Sequence, residues 1–207
     1  TPVDLLQDVY IMVVVVMDHP PEEIIQFGPV RSGSTLIYNL LRDIFPNSEV
    51  RKTHYMEKNP STKYIVSTYR NPLDIMASLI QFHDQMPTIA SIREKIFFIK
   101  NNGLVDFVNI IDNDKILKLK YEDFYNNYNY IYDKFETYFK IKIDDEQRIF
   151  LDKKYKINNI KKIVQKYDSF NDFDDITHWH GNHISPNNGA PNSYDKFFND
   201  EQIEFIK

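Results

Sequence analysis

The feature that most narrows the choice of fold is an alternation along the chain, in which short strand-like apolar runs are each followed by a segment with helical spacing. Glu23 to Val30 (EIIQFGPV) reads as a buried strand ending in a turn. Leu36, Leu40, Leu41, Ile44 and Phe45 then recur at helical intervals until Pro46 stops the helix. Val50 to His54 is a short extended segment, and Lys63 to Tyr69 (KYIVSTY) is a further β-rich run closed by Arg70-Asn71-Pro72. Proline suits a first helical turn, so a helix is expected from Pro72 to Phe82, with another from Ser91 to Asn101. Lys115 to Tyr121 alternates again, with Leu117, Leu119 and Tyr121 on one face and Ile116, Lys118 and Lys120 on the other. This is the pattern of an α/β domain with a central, mainly parallel sheet flanked by helices.

Phe124, Tyr128, Ile131, Phe135 and Tyr138 trace a helical stripe, and Glu146 to Lys166 reads as a charged helix with a solvated face. Ser169 to Ser193 is rich in Asn, Asp, His and Pro and is expected to be a long loop, of the kind that closes over a site. Tyr10 to Met17 (YIMVVVVM) reads as a buried strand, being far short of the roughly 20 residues of a membrane helix. It also lacks the basic leader and small-residue cleavage site of a signal peptide. With 207 residues the chain suits one domain, 1–207.

Composition removes several function classes. The absence of cysteine excludes disulfides, thiolate catalysis and cysteine-ligated metal sites, and is compatible with the expected cytoplasmic location. A net charge of −5 argues against general nucleic-acid binding while leaving room for a local basic pocket. His178, His180 and His183 lack a regular frame for tetrahedral geometry, so no metal is expected there.

Two strand-to-helix turns carry the chemistry. Gly28-Pro29-Val30-Arg31-Ser32-Gly33-Ser34-Thr35 joins the first strand to the first helix. A helix start offers free N–H groups and a positive dipole end. Gly33 permits close backbone approach, Ser32, Ser34 and Thr35 add hydroxyls, and Arg31 adds charge. The Gly-Lys-Ser/Thr ending of nucleoside-triphosphate loops is missing, which disfavours ATP or GTP hydrolysis. Arg70 to Ser78 (RNPLDIMAS) opens a second helix in the same way. Arg70 and Ser78 suit a second phosphate there, and Asp74 suits either the helix dipole or an orienting contact to Arg70. Two such turns in one small domain fit a ligand with two separated phosphates.

With these motifs in order, the sequence resembles the PAPS-dependent sulfotransferases, enzymes that use 3′-phosphoadenosine-5′-phosphosulfate. Arg31-Ser32-Gly33-Ser34-Thr35 is similar to their 5′-phosphosulfate loop. Arg70 to Ser78 matches their R-x-P-x-D-x-x-x-S 3′-phosphate signature, Lys52-Thr53-His54 their K-T-H, and Tyr121-Glu122-Asp123 their Y-E-D. The resemblance spans residues 24–140 and implies a P-loop-like sulfotransferase architecture. It implies PAPS as cofactor with PAP as product and no metal requirement, His54 as catalytic base, and Tyr121 at the adenine. Beyond residue 140, His183 to Tyr194 takes the place of the family's R-K-G-x-x-G-D-W-K loop. The Arg-Lys pair is absent, which leaves His183, Ser185 or Asn188 for the 3′-phosphate, with Gly189 and Tyr194 standing for the second glycine and the tryptophan. Leu36 replaces the tryptophan that follows the first loop, so Trp179 or a phenylalanine is the candidate for stacking on adenine.

In that reading His54 takes the acceptor proton, Lys52 on the same side of the strand steadies the sulfuryl oxygens, and Arg31 neutralises the departing 5′-phosphate. The acceptor, a small molecule, glycan or peptide bearing a hydroxyl or amine, is not legible, nor is the oligomeric state. Gln81, Phe82, His83 and Asp84 are placed beside its pocket by family analogy. A P-loop nucleotide kinase and a non-catalytic nucleotide-binding relative remain the alternatives.

Overall fold

A strand with apolar side chains on both faces must be covered on both, and β1 (Glu23–Phe27) is of this kind. Ile24 packs into one core, while Ile25 and Phe27 pack into another on the opposite face. The computed structural model describes residues 20–57, 60, 62–110, 113–169, 171–181 and 183–207. The strand expected at Tyr10 to Met17 lies outside these residues.

Among the described residues the sheet is wholly parallel, with strand order β2-β1-β3-β4, where β2 is Glu49–Thr53, β3 is Ile65–Tyr69 and β4 is Leu117–Lys120. Ile25 pairs with Arg51 on one side and Ile65 on the other, and Val66 pairs with Leu117. The α/β class with a central parallel sheet therefore holds. After β1 the chain moves outward to β2, then returns to the other side of β1 for β3. At such a reversal the loops leaving the strand ends diverge and open a crevice.

Helix α1 (Ser34–Ile44) covers one face with Ile37, Leu40, Leu41 and Ile44, packed with Ile131, Tyr132, Phe135 and Phe139 of α6 (Tyr128–Phe139). Each fully buried side chain of this size contributes about 1.5–3 kcal/mol. Helix α2 (Pro72–Phe82) begins at the expected proline and is capped by Asn71, whose Oδ1 accepts the N–H of Leu73 at 3.0 Å. It packs against α3 (Ile89–Ile99) to form a second core.

The boundaries differ from the sequence reading where tertiary contacts intervene. The first strand ends at Phe27 and the expected turn begins at Gly28, which passes so close to β3 that a Cβ there would lie 2.4 Å from Thr68 Oγ1. Helix α3 starts at Ile89, fixed by reciprocal hydrogen bonds between Thr88 and Ser91. It runs through a kinked turn, Lys100–Leu104, into α4 (Val105–Ile110), with Gly103 at φ 99°. The aromatic stripe is split, Phe124 ending the single turn α5 (Tyr121–Phe124). The charged helix divides at Lys156, whose ψ of 135° is extended, into α7 (Asp145–Tyr155) and α8 (Ile157–Val164). Segment 169–193 has no regular element among its described residues, only an isolated bridge between Phe173 and His180. A last helix, α9 (Asp200–Ile206), packs on α3. No helix among the described residues is long and apolar enough to cross a membrane.

Candidate active site

Parallel strands deliver the residues that follow them to one edge of the sheet, and here all four strand ends do so. The turn after β1 brings Arg31 and Gly33, β2 brings Lys52 and His54, β3 brings Arg70, and β4 brings Tyr121. These residues line one cleft of about 570 Å³, large enough for a nucleotide and part of a second molecule. No carboxylate is among the described residues lining it, although the chain carries 30 acidic residues against 25 basic ones.

The first turn is held from beneath by buried polar groups. Ser32 Oγ donates to the carbonyl of Pro29 at 2.6 Å and lies 2.7 Å from Thr68 Oγ1, which also accepts from Gln26 Nε2 at 3.3 Å. The Ser32 hydroxyl thus faces the sheet and shapes the loop, whereas Gly33, Ser34 and Thr35 line the cleft. Arg31 and Gly33 both take left-handed backbone conformations, with φ of 61° and 83°. For Arg31 this costs about 1–2 kcal/mol, which the surrounding bonds must hold in place. A Cβ on Gly33 would lie 2.9 Å from both Tyr121 and Phe124, so only glycine fits under the β4 turn. No side chain caps α1, and its first residues, Ser34, Thr35 and Leu36, line the cleft.

Arg31 Nε donates to Ser78 Oγ at 2.9 Å, its Nη2 donates to the carbonyl of His183 at 3.2 Å, and its guanidinium sits 5.1 Å over the Phe82 ring. Removal from water and then the neighbouring Arg70 push Arg31 down to about 10. Arg70, 7% exposed, lies 4.2 Å over the Tyr121 ring and donates to the carbonyls of Gly189 at 3.1 Å and Ala190 at 3.3 Å. Tyr121 donates its hydroxyl to the same Gly189 carbonyl at 2.9 Å, and burial pushes that phenol up to about 12. The Nε of Arg70 is buried without a hydrogen-bond partner, and its approach to Asp74 is a long 4.0 Å. A buried guanidinium N–H left in this state is a donor for an incoming anion.

His54 sits one residue past β2, with Nδ1 2.7 Å from the carbonyl of Gly28. A carbonyl can only accept, so Nδ1 carries the hydrogen and Nε2 keeps its lone pair. Desolvation holds His54 below its usual pKa, with Lys52 and His178 acting the same way and the Gly28 carbonyl opposing. Lys52 is pushed down to about 8, by desolvation first and by Arg31 second. Among the described residues neither Arg31 nor Lys52 has an ion-pair partner.

The irregular segment 169–193 forms the remaining wall and is pinned to the helices at two places. Asp74, 1% exposed, accepts the backbone N–H groups of Asn192 at 2.7 Å, Ser193 at 2.9 Å and Tyr194 at 3.3 Å. On α1, Tyr38 donates to the carbonyl of Ile176 at 3.0 Å and Asn39 to that of Thr177 at 2.8 Å. Between these points His178, Trp179, His180, His183, Ser185, Asn188 and Gly189 line the cleft. Ser185 Oγ is engaged within the segment, donating to Asn187 Oδ1 at 2.5 Å and accepting the N–H of Gly189 at 2.9 Å. Trp179 is buried with its ring edge-on to His183, and Tyr194 packs into the second core instead of lining the cleft. No group of three or more metal-ligating side chains occurs among the described residues.

Arg31, Gly33, Ser34, Thr35, Lys52, His54, Arg70, Ser78, Tyr121, His183, Ser185, Asn188 and Gly189 thus line this cleft, whereas the Ser32 hydroxyl lies beneath it and Tyr194 is away from it. What the sequence reading missed is the wiring. Asp74 serves chiefly as the anchor for residues 192–194, and the Gln26–Thr68–Ser32 network supports the first turn. A polar Gln26 inside an apolar strand was the available signal for that network.

No protein-family model matches the sequence, and no curated protein matches it either. Solved structures do match. Mouse sulfotransferase SULT7A1, complexed with PAP, superposes with a TM-score of 0.63 over 88% of this chain and 81% of that one, at 14% sequence identity. The fold is that of a sulfotransferase. At such identity the likeness extends to the fold alone, and the argument for function rests on the site.

Proposed function

We propose that this chain is a PAPS-dependent sulfotransferase acting on a hydroxyl or amine acceptor. The observation that carries the reading is the convergence on one cleft of Arg70 with Arg31 and Lys52, the last two without an ion-pair partner and the cleft without a lining carboxylate among the described residues, beside a histidine whose Nε2 keeps its lone pair. Uncompensated cations in a partly desolvated cleft are costly unless an anion joins them, and the lowered values of Arg31 and Lys52 express that cost.

The residues present fit an adenosine bisphosphate. Arg70, with its unpartnered Nε, and Ser78 would hold one phosphate. Arg31 and the backbone at the start of α1 would hold the other, and Tyr121 would stand at the base. When bound, PAPS supplies the sulfuryl group that passes to the acceptor. His54 takes the acceptor proton at Nε2, while its Nδ1–H bond to Gly28 keeps the ring aimed. Lys52 places its charge near the transferring oxygens, and Arg31 stabilises negative charge on the departing phosphate as a fixed cation and not as an acid. The likeness to a PAP-bound sulfotransferase supports the same reading.

Calorimetric titration of PAP against ATP with magnesium tests it. Metal-independent binding of PAP, weakened about a hundredfold in Arg70→Ala through loss of bidentate charged hydrogen bonds, is the expected result. A preference for magnesium-ATP would return the chain to the kinase-like class. Binding without turnover across a broad acceptor panel would leave a non-catalytic nucleotide-binding module.

A further inference from the structure

Three contacts hold the Arg31 side chain, to Ser78, the His183 carbonyl and the Phe82 ring, and one residue outside the matched motifs touches two of those partner residues. Arg31 rests on the Phe82 ring at 5.1 Å and donates to the His183 carbonyl at 3.2 Å. His180, buried at 9% exposure, meets Phe82 edge-on at 5.8 Å between ring centres and lies within hydrogen-bond distance of the His183 ring.

The tautomers of this imidazole pair follow from the backbone. His180 Nδ1 lies 2.5 Å from the carbonyl of Gly181, which can only accept, so Nδ1 carries the hydrogen and Nε2 carries the lone pair. His183 Nδ1, 2.9 Å from that Nε2, is therefore the donor. Desolvation keeps both rings in the neutral form this bond requires. The His183 ring is further boxed by Trp179, edge-on at 4.6 Å. With its ring fixed on two sides, residue 183 has its carbonyl directed at the guanidinium.

We infer that His180 is a positioning residue for Arg31, holding the arginine in the cleft through the His183 hydrogen bond on one side and the Phe82 ring on the other. Arg31 needs this support because its backbone is left-handed and among the described residues it has no anionic partner. Here the family's C-terminal Arg-Lys pair is missing, and a neutral imidazole pair in the same segment takes up the task of ordering a cofactor cation instead of adding one. The inference rests on the proposed PAP site.

A double-mutant cycle on PAP binding, read by calorimetry, separates positioning from general support of the fold. His180→Phe keeps an aromatic ring for the edge contact but removes the Nε2 acceptor. It is expected to weaken PAP binding roughly tenfold, the scale of one hydrogen bond from the Arg31 guanidinium to the bound phosphate lost when the arginine is no longer held in place. In the Arg31→Ala background the same change is expected to alter affinity by less than about twofold, because there is no longer a guanidinium to position. His180→Gln, whose Oε1 can accept from His183 Nδ1, restores most of the loss and provides a variant that retains the polar contact should the phenylalanine fail to fold. Equal losses in both backgrounds, or a glutamine variant as weak as the phenylalanine one, would overturn the inference while leaving the PAP site intact. An unmodified chain that fails to bind PAP would overturn the proposed function, and this inference with it.

Discussion

The carboxylate of Asp74 accepts the backbone N–H of Asn192 at 2.7 Å, a contact between residues 118 positions apart that fastens the C-terminal wall of the cleft to helix α2. The same carboxylate accepts the N–H groups of Ser193 and Tyr194, while Arg70, four residues before it, donates to the carbonyls of Gly189 and Ala190. Asp74 in the first turn of α2 and Arg70 just ahead of that helix therefore hold both the donors and the acceptors of the segment that closes the site.

Asp74→Ala should release that segment. Losing charge-assisted bonds to buried N–H groups is expected to lower unfolding free energy by about 2–4 kcal/mol. Chemical denaturation measures this, and limited proteolysis should show new cleavage within 185–194. An unchanged proteolytic pattern would contradict the anchoring role.

His54 is held neutral by desolvation and by Lys52, so its proton-accepting form persists below its ordinary pKa of about 6.5. The rate is lost only as pH falls through that depressed value, which puts the acid limb of kcat/KM below pH 6.5, measured with a simple phenol as acceptor. His54→Ala should lower kcat by roughly 10²–10⁴-fold, the usual contribution of a general base. An acid limb well above that pH would mean that another group carries the proton.

Lys52 is a cation below about 8 and neutral above it. Affinity for PAP should therefore weaken as pH rises through that value and beyond, and Lys52→Met should flatten the dependence over the same range. Calorimetry at fixed ionic strength checks this, since salt screens the same attraction.

Gly28→Ala would bring a Cβ to 2.4 Å from Thr68 Oγ1 and 2.6 Å from its backbone oxygen, a clash that cannot relax by side-chain rotation alone. A cost of about 1–3 kcal/mol is expected from overpacking of this kind. Because the Gly28 carbonyl orients His54, turnover should fall by a larger factor than PAP affinity does. Steady-state kinetics beside calorimetry would show the difference.

The parallel sheet and its two strand-to-helix turns were legible because each depends on local chemistry. Ile24 and Ile25 on adjacent strand positions require cover on both faces, Pro72 starts a helix, and Gly33 with its flanking hydroxyls marks a close-approach turn. The split of the aromatic stripe at Phe124 and the break at Lys156 were not legible, since helical spacing continues across both.

By itself the sequence determined which residue types stand at the end of each strand, and hence that Arg31, Lys52, His54, Arg70 and Tyr121 share one edge of the sheet. That follows because a parallel sheet sends every strand's carboxyl end the same way. Only the tertiary structure decided how the irregular segment 169–193 completes the cleft. Its hydrogen bonds run to Asp74, Arg70, Tyr38 and Asn39, which lie far away in the chain, and no periodicity within the segment encodes partners at that distance. The neutral His180–His183 pair beside Arg31 belongs to the same class, because the direction of its hydrogen bond is set by a backbone carbonyl that the fold alone brings into place.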